Sequence, residues 1–265
     1  MASRLATSLC GIPLKTPVLA ASGTFAYGLE LRGLVDLSAL GGIVVKGLSR
    51  EPMDGNLPPR VWETQAGMIN SIGLQNIGVR AFVKDKLPEL RTAGTAVFAN
   101  VFGYAVEDYI EVIRAVRPIA KRPLIVKLSP NVARIEPLAK AAEESGADAL
   151  SLVNTFVSLA IDPRTRKSRL GAGFGGLSGP AIKPIALRMV YEAARAVKIP
   201  VIGLGGIAQG LDAAEFLIAG ASAVEVGTAN FWDPTAPLRI ARELEQFLEQ
   251  EGIEHVSELV GTLKL

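Results

Sequence analysis

Short apolar runs alternate with longer amphipathic stretches along the whole chain. Seven runs are almost continuously apolar rather than alternating, which is typical of parallel strands covered on both faces. These predicted strands are Pro17–Ser22, Gly42–Lys46, Ala96–Asn100, Leu124–Leu128, Ala149–Asn154, Val201–Leu204 and Ala223–Val226. Between them, apolar residues recur every three or four positions, as on one face of a helix. Helices are predicted over Val106–Val116, Pro137–Ser145, Ile182–Val197 and Leu211–Ala219.

The repetition of strand and helix predicts an α/β fold. Seven or eight such units in about 250 residues are typical of a TIM-type (β/α)8 barrel, whose site lies at the C-terminal ends of the strands. A doubly wound sheet is the competing architecture, but polar residues or glycines follow nearly every strand rather than those at one switch point. No linker or low-complexity tract divides the chain, so residues 1–265 are predicted to form one domain.

The number of strands is one short of a complete barrel. Between Asn100 and Leu124 there is room for one helix, whereas the other units place a helix and a new strand in such an interval. We therefore expect the fourth strand and its active-site loop to be missing from this chain. The strands on either side would then be separated by a gap of one strand, or they would pair directly.

Composition excludes several classes of protein. The chain has 265 residues, 49% of them hydrophobic, and a net charge of +2 without a basic block, so nucleic acid is not an expected partner. One cysteine, Cys10, and one histidine, His255, exclude a disulfide framework and a Cys/His zinc site within the chain, and no metal site is expected. There is no apolar run of membrane-spanning length and no signal-peptide pattern, which predicts a soluble cytoplasmic protein.

Polar side chains end several of the predicted strands. Lys46 and Lys127 each end an apolar strand, where an ammonium is costly unless it meets an anion, reaches out to solvent or pairs with a buried carboxylate. Asn100 and Asn154 hold similar positions, and their amides either bind the edge of a heterocycle or cap a loop. The uncharged loop from Asn70 to Asn76 either closes over a polar ring or forms a surface turn.

Glycine-rich turns follow the last two strands, as GLGGI from Gly203 and GTAN from Gly227. Bare backbone N–H groups next to a helix N-terminus favour an anion, and this is the usual phosphate position of such barrels. A third segment, Gly175–Gly179, is predicted to be a turn that adds further donors. Cys10 is predicted to be a small buried apolar residue rather than a nucleophile.

These motifs together resemble the class 1 dihydroorotate dehydrogenases, and most closely the catalytic subunit of the NAD-linked class 1B. The resemblance extends from about residue 5 to residue 250. It rests on ASGTFAYG, VVKGLS, NSIGLQN, FAN, VKLSPN, LVNT, GGLSGPAIKPIALRMVYE, GLGGI and VGTANF in this order. It implies a (β/α)8 barrel that holds FMN and oxidises dihydroorotate to orotate in pyrimidine biosynthesis. The implied partners are an iron–sulfur and FAD electron-transfer subunit and a second copy of the chain.

The resemblance also implies roles for individual residues. FMN would be held by Ser22, Lys46, Gly47, Asn100, Lys127, Val153, Gly179, Gly205, Gly206, Gly227 and Thr228. The substrate would meet Lys46, Asn70, Ser71, Ile72, Gly73, Leu74, Asn154 and Thr155. Lys127 would offset negative charge that develops on the flavin, an electrostatic role.

One family motif is missing from the sequence. The family's fourth strand ends in a stretch like NxSCPN, whose cysteine is the base that removes a proton from the substrate, and no catalytic residue of that kind is identifiable here. The absent motif coincides with the absent strand. The alternatives are therefore a dihydroorotate dehydrogenase, a flavin-binding barrel impaired by loss of the base, and another FMN barrel reductase that acts on a pyrimidine. The deletion is natural, engineered, or an omission from the sequence.

Overall fold

Seven parallel strands form the central sheet of the computed structural model, which describes residues 3–100 and 122–265. In chain order they are β3 (Val18–Ala20), β4 (Gly42–Val44), β7 (Ala96–Phe98), β8 (Ile125–Lys127), β9 (Ala149–Leu152), β14 (Val201–Leu204) and β15 (Ala223–Val226). The sheet order is β7-β4-β3-β15-β14-β9-β8. All seven predicted strands are confirmed, and five are two or three residues shorter than the apolar runs that predicted them.

The two faces of these strands pack against different partners. On β9 and β15, Leu150, Leu152, Val224 and Val226 lie in the large cluster that also contains the buried faces of the surrounding helices. Burial of each such side chain contributes about 1.5–3 kcal/mol to stability. The alternate residues face the inside of the curled sheet, where Leu19, Phe98, Ile202 and Ala223 form a separate cluster with Leu9 and Leu14. Those two leucines belong to the hairpin of β1 (Thr7–Leu9) and β2 (Ile12–Leu14), which closes the N-terminal end of the sheet.

Helices alternate with the strands. They are α1 (Gly78–Ala81), a π-helical turn (Phe82–Lys86), α2 (Leu87–Leu90), α3 (Glu136–Glu144), α4 (Lys183–Ala196), α5 (Gly210–Ile218) and α6 (Ala236–Gln250). Short 3₁₀ turns span Leu29–Leu31, Leu37–Ala39, Pro180–Ile182, Thr228–Phe231 and Val256–Leu259. Three predicted helices are confirmed as α3, α4 and α5, within one residue at each end. The fourth, Val106–Val116, lies outside the described residues.

A second sheet covers the C-terminal end of the first, and the sequence did not predict it. It is antiparallel, in the order β10 (Phe156–Ser158), β13 (Gly175–Ser178), β6 (Gly67–Asn70) and β5 (Val61–Thr64). The expectation of a turn at Gly175–Gly179 is therefore wrong for its first four residues. Gly176 stands in this strand because a Cβ there would overlap the side chain of Thr155. A small hairpin of β11 (Ile161–Asp162) and β12 (Lys167–Ser168) extends beyond this sheet.

The outer strands of the central sheet, β7 and β8, do not pair with each other within the described residues. The sheet nevertheless curls toward closure. Lys127 on β8 reaches within 3.4 Å of Ser22, which follows β3. Four strand spacings separate β8 from β3 along the sheet, which would be about 19 Å if the sheet were flat. Direct pairing of the Ala96–Asn100 and Leu124–Leu128 strands is thus not found, and the missing strand stays a prediction.

Two kinds of feature are absent from the described residues. Neither the 3–100 segment nor the 122–265 segment contains a helix long and apolar enough to cross a membrane. The described residues also contain no group of three or more His, Cys, Asp or Glu side chains placed to hold a metal ion.

Candidate active site

A cavity of about 380 Å³ opens at the C-terminal ends of the central strands, beneath the second sheet. Every residue that the sequence singled out as a site residue lines it. They are Ser22, Lys46, Gly47, Asn70, Ser71, Ile72, Gly73, Leu74, Asn100, Lys127, Val153, Asn154, Thr155, Gly179, Gly205, Gly206, Gly227 and Thr228. The strand ends and the loops after them therefore converge, as the barrel prediction required.

The cavity wall is positively charged. Lys46 and Lys127 line it, and no Asp or Glu is among the described residues that do so. Neither ammonium has an ion-pair partner within residues 3–100 and 122–265. Burial, and after it the positive charge of Arg60, lowers the pKa of Lys46. Two partly buried cations without carboxylates make a site for an anionic ligand.

Ser22 connects the two outer strands at the cavity floor. Its Oγ accepts a hydrogen bond from Asn100 Nδ2 at 3.0 Å and one from Lys127 Nζ at 3.4 Å. Asn100 follows β7 and Lys127 ends β8, so both side chains turn inward from opposite edges of the sheet. The ammonium of Lys127 is thereby held at the floor of the cavity rather than extended into solvent, which excludes one of the three alternatives given for this residue.

Glycines bring bare backbone to the end of the cavity beyond β14 and β15. Gly205 has φ +135° and Gly206 has φ +79°, in the region that favours glycine. A Cβ at Gly206 would lie 2.8 Å from Gly179 O and 2.9 Å from Lys183 Cβ. The Thr228 hydroxyl belongs to the second turn, which begins at Gly227. This set of backbone donors, a hydroxyl and close-packed glycines fits a phosphate group, as FMN carries.

The end of β6 and the loop after it form one wall of the cavity, which is lined by Asn70 and by the first four loop residues, 71–74. Ser71 is one of these residues, and its Oγ is buried without a hydrogen-bond partner within the described residues. An orphaned hydroxyl of this kind fits a polar ligand, because leaving it unpaired costs about 1–3 kcal/mol. The loop is thus not a simple surface turn, the alternative that the sequence left open.

Asn76, at the end of the same loop, has a structural role instead. It is only 6% exposed and does not line the cavity. Its Oδ1 accepts from Ser49 N at 3.2 Å and Gly78 N at 2.9 Å, and its Nδ2 donates to Leu74 O at 2.8 Å. These bonds fix the path of the chain on which Gly73 and Leu74 adopt positive φ.

The segment after β9 is fixed by a residue that the sequence reasoning did not select. Asn131 Nδ2 donates to Thr155 O at 3.1 Å, and Asn131 Oδ1 accepts from Val157 N at 2.9 Å. Asn154 Oδ1 accepts from the N–H of Thr155 at 2.9 Å, which caps the loop as the structural alternative proposed. Asn154 is nevertheless exposed at the cavity wall with its Nδ2 directed to no described partner.

Nine further residues of the lining were missed. They are Ala21, Gly23, Thr24, Val61, Met68, Ser178, Ile182, Leu204 and Phe231. Val61, Met68 and Ser178 belong to the second sheet, which the sequence pattern did not reveal. Phe231 is 57% exposed at the rim, and a large exposed aromatic residue gives no signal in a hydrophobicity pattern.

The single cysteine and the single histidine lie outside the cavity lining. Cys10 sits in the turn of the β1–β2 hairpin, at the opposite end of the central sheet, and its Sγ donates to Asp148 O at 3.3 Å. Burial raises the pKa of the Cys10 thiol, and the Asp148 carboxylate raises it further. His255 Nδ1 accepts from Ser257 N at the start of the last 3₁₀ turn. Neither residue can serve as the base of this site.

The fold and the site define a class of protein, an α/β barrel-type fold with a cationic cavity and glycine-rich turns at the C-terminal ends of its strands. Comparison with protein families matches the dihydroorotate dehydrogenase family over residues 4–122 and 114–248. A relative from Solibacter usitatus, named as a putative dihydroorotate dehydrogenase A (fumarate), is 67% identical, with 100% of both chains covered. The chain therefore belongs to the dihydroorotate dehydrogenase family.

Other relatives carry the name of a different class. A protein from Thermodesulfovibrio yellowstonii, named as the catalytic subunit of dihydroorotate dehydrogenase B (NAD(+)), is 48% identical, with 98% of this chain and 99% of that protein covered. Among solved structures, a dihydroorotate dehydrogenase from Eimeria tenella in complex with ferulenol superposes with a TM-score of 0.75 at 23% identity. It covers 98% of this chain and 88% of that one, and it supports the fold alone.

The lengths of these matches bear on the missing strand. The alignment with the Solibacter usitatus relative extends over 303 residues, whereas this chain has 265, so at least 38 aligned positions have no counterpart here. The family match is also divided into two ranges that meet at residues 114–122. This division falls between the predicted strands Ala96–Asn100 and Leu124–Leu128, where the fourth strand of a complete barrel would lie.

Proposed function

We propose that this chain binds FMN in the cavity and oxidises dihydroorotate to orotate, the reaction of pyrimidine biosynthesis for which its relatives are named. The observation that carries the proposal is the cavity lining, in which two ammonium groups and two glycine turns face one space, with no carboxylate among the described residues that line it. Such a lining suits a ligand pair with two anionic groups, the phosphate of FMN and the carboxylate of the substrate.

The geometry supports a role toward the cofactor for several lining residues. FMN would supply the hydride acceptor. Gly205, Gly206, Gly227 and Thr228 would bind its phosphate through backbone N–H groups and a hydroxyl. Lys127 would hold a positive charge at the cavity floor, where Ser22 and Asn100 fix the ammonium in place. Its charge would stabilise negative charge that arises in the site during the reaction, which is the usual effect of a preorganised cation in a dry cavity.

Other residues of the cavity lining are proposed to bind the substrate. Lys46 would bind the substrate carboxylate, because its partly buried ammonium has no ion-pair partner within residues 3–100 and 122–265 and is further destabilised by the positive charge of Arg60. The Ser71 hydroxyl, which has no described partner, would pair with a polar edge of the pyrimidine ring. Asn70 and Asn154 would supply amide donors and acceptors to the same edge.

The proton-abstraction step lacks its family residue. The sequence contains one cysteine, and Cys10 lies at the far end of the sheet from the cavity. This observation favours a second candidate function, a flavin-binding barrel whose turnover is weak because a positioned base is worth about 10² to 10⁴ in rate. The two candidates share the ligand site and differ in the rate of the chemical step.

One experiment separates these candidates. The purified protein is loaded with FMN, made anaerobic and mixed with dihydroorotate while flavin absorbance is followed. Bleaching that depends on dihydroorotate supports the dehydrogenase. Bound FMN without bleaching supports the impaired barrel. Reoxidation of chemically reduced flavin by a different pyrimidine or an enoate, in a protein that dihydroorotate does not bleach, would support the third alternative, another barrel reductase.

The electron acceptor and the assembly are also proposals. Relatives named as NAD-dependent catalytic subunits support an acceptor pathway through an iron–sulfur and FAD subunit, whereas the relative named for fumarate supports direct reduction of that acid. We favour the NAD-linked pathway because several relatives carry that name. We further propose one domain over residues 1–265, a homodimer and a cytoplasmic location. Reoxidation by fumarate in the absence of any partner, measured against NAD with the partner present, tests the acceptor.

A further inference from the structure

The turn that contains Gly205 and Gly206 is held from behind by a carboxylate that does not line the cavity. Asp212, on the first turn of α5, is 4% exposed. Its Oδ2 accepts hydrogen bonds from Ala208 N at 2.8 Å and Gln209 N at 3.0 Å. The segment that connects the glycine turn to α5 is therefore anchored at two successive backbone N–H groups.

A lysine completes this anchor. Lys183 Nζ lies 2.7 Å from Asp212 Oδ1 and 2.9 Å from Glu215 Oε2. Burial lowers the pKa of the Lys183 ammonium, but its hydrogen bonds to Asp212 and Glu215 outweigh burial and leave the pKa raised. Lys183 also packs against the turn itself, since a Cβ at Gly206 would lie within 2.9 Å of Lys183 Cβ and 3.0 Å of its backbone N.

A second ion-pair group ties this turn to the other glycine turn. Arg239 Nη2 donates to Ala208 O at 3.2 Å, and its Nε donates to Asp233 Oδ2 at 2.9 Å. Asp233 lies two residues after the 3₁₀ turn that begins at Thr228, so the guanidinium joins the two segments.

The same arginine reaches the start of α5. Arg239 Nη1 donates to Glu243 Oε1 at 2.8 Å, and Glu243 Oε2 accepts from Gly210 N at 2.6 Å. The two turns proposed for the phosphate are thus fixed relative to each other by side chains outside the cavity. A charged group that binds at both turns gains from this arrangement, because the backbone donors need no reorganisation.

We propose that Lys183 and Asp212 are positioning residues that preset the Gly205–Gly206 turn for a phosphate, so that the site selects a phosphorylated flavin over the same flavin without its phosphate. This inference rests on the proposed function, because it assumes that FMN occupies the cavity. It assigns selectivity to an ion pair that touches no ligand.

The test compares two flavins on one variant. Lys183→Met removes the ion pair, and dissociation constants for FMN and riboflavin are measured by quenching of flavin fluorescence. We expect FMN affinity to fall by about tenfold, which corresponds to about 1.4 kcal/mol, while riboflavin affinity stays unchanged. Lys183→Arg keeps the charge and should restore FMN affinity. Arg188→Met is the matched control, because Arg188 lies on the same helix and forms an exposed ion pair with Glu192 at 2.6 Å.

Each other outcome has a definite meaning. Equal losses for FMN and riboflavin in Lys183→Met would show a general structural role and overturn the inference. Unchanged affinity for both flavins would overturn it as well. If Lys183→Met does not fold, Asp212→Asn replaces it, because the amide oxygen still accepts from Ala208 and Gln209 while the ion pair is lost. A wild-type chain that binds neither flavin would overturn the proposed function itself, which separates that failure from failure of the inference.

Discussion

Lys127 donates a hydrogen bond to the Ser22 hydroxyl at 3.4 Å, although three strands lie between their own strands in the sheet. The contact exists because the sheet curls and Lys127 points to its inner side. The same hydroxyl accepts from Asn100 at 3.0 Å, so one serine side chain touches groups from both outer strands. An ammonium held in this way keeps its position through a reaction, and it has no carboxylate partner among the described residues to cancel its charge.

The first prediction concerns that ammonium. Lys127→Met removes the charge but keeps an unbranched side chain of similar length. We expect flavin reduction by dihydroorotate to slow by about 10²-fold or more, as when one preorganised electrostatic group is removed. FMN affinity should change less, because the phosphate turns are untouched. Stopped-flow reduction and a flavin titration measure the two quantities. An unchanged reduction rate would show that Lys127 has no electrostatic role.

Ser22→Ala provides the finer comparison. It leaves the charge of Lys127 in place and removes only the acceptor that positions it. An intermediate loss of reduction rate is expected, smaller than that of Lys127→Met. If Ser22→Ala were as slow as Lys127→Met, position rather than charge would dominate.

The second prediction concerns the phosphate turn. Gly206→Asp should abolish measurable FMN binding, for three reasons. The φ of +79° disfavours any side chain, a Cβ would meet Gly179 O at 2.8 Å, and a carboxylate would repel the phosphate. Gly252→Asp is the matched control, since Gly252 has φ +70° but open space around its Cα. Binding of FMN by Gly206→Asp at wild-type affinity would place the phosphate elsewhere.

The third prediction follows from the lowered pKa of Lys46. Its folded-state pKa lies below the ordinary value of 10.5, so the charged form is disfavoured in the folded protein. Below the folded pKa, both states carry the charge and the folded state bears the full penalty. Between the folded pKa and about 10.5 the unfolded state binds more protons, so stability rises with pH there. Lys46→Met should therefore raise Tm at neutral pH, and this gain should shrink as pH approaches 10.5.

Orotate should reverse the order of the two Tm values. Orotate should raise the Tm of the wild type but leave that of Lys46→Met almost unchanged, because the substitution removes the partner of the carboxylate. Lys140→Met, at an exposed position of α3, is the control and should change neither value. A Tm of Lys46→Met that is lower than wild type at neutral pH, without ligand, would contradict the burial penalty.

The sequence predicted the central sheet well because its strands are buried on both faces. A run such as the one that ends at Leu204 is continuously apolar, and glycines or polar residues follow its last residue. The second sheet left no such signal. Its strand Val61–Thr64 carries Val61 and Trp62 exposed by 44% and 39%, and Gly175 and Gly176 are read as a turn by composition. Tertiary contacts explain why glycine is needed there, since a Cβ would meet Thr155 at Gly176 and the side chains of Leu170 and Ile69 at Gly175.

The cavity residues were predicted by position and by family resemblance, whereas the residues that hold them were not. Asn76, Asn131 and Asp212 do not line the cavity, but each makes two or more hydrogen bonds to backbone groups of the loops around it. Their effect depends on which loops the fold brings together, and nothing in the local pattern distinguishes them from ordinary surface polar residues. Helix α6 was missed although its buried Ile240, Leu244 and Leu248 recur every four residues.

The fourth prediction concerns the single thiol. With its pKa raised by burial and by Asp148, Cys10 is a poor nucleophile and lies far from the cavity. Cys10→Ser should leave the rate of flavin reduction unchanged, and iodoacetamide should not inhibit the wild type. Loss of activity in both experiments would make Cys10 part of the reaction, against its position in the structure.

The fifth prediction concerns the interval between the two outer strands. At least 38 positions of the Solibacter usitatus relative have no counterpart in this chain, and the family match divides at residues 114–122. We predict that the segment of that relative, inserted between Val116 and Arg117, supplies both the fourth strand and the cysteine base of the family. The insertion should raise the rate of flavin reduction by about 10² to 10⁴, the usual worth of a positioned base. It should also raise Tm, because a strand placed between β7 and β8 pairs backbone groups at both edges.

The same insertion with its cysteine changed to alanine is the control, and it should keep the gain in Tm without the gain in rate. Equal rates with and without the cysteine would show that the missing segment does not carry the base.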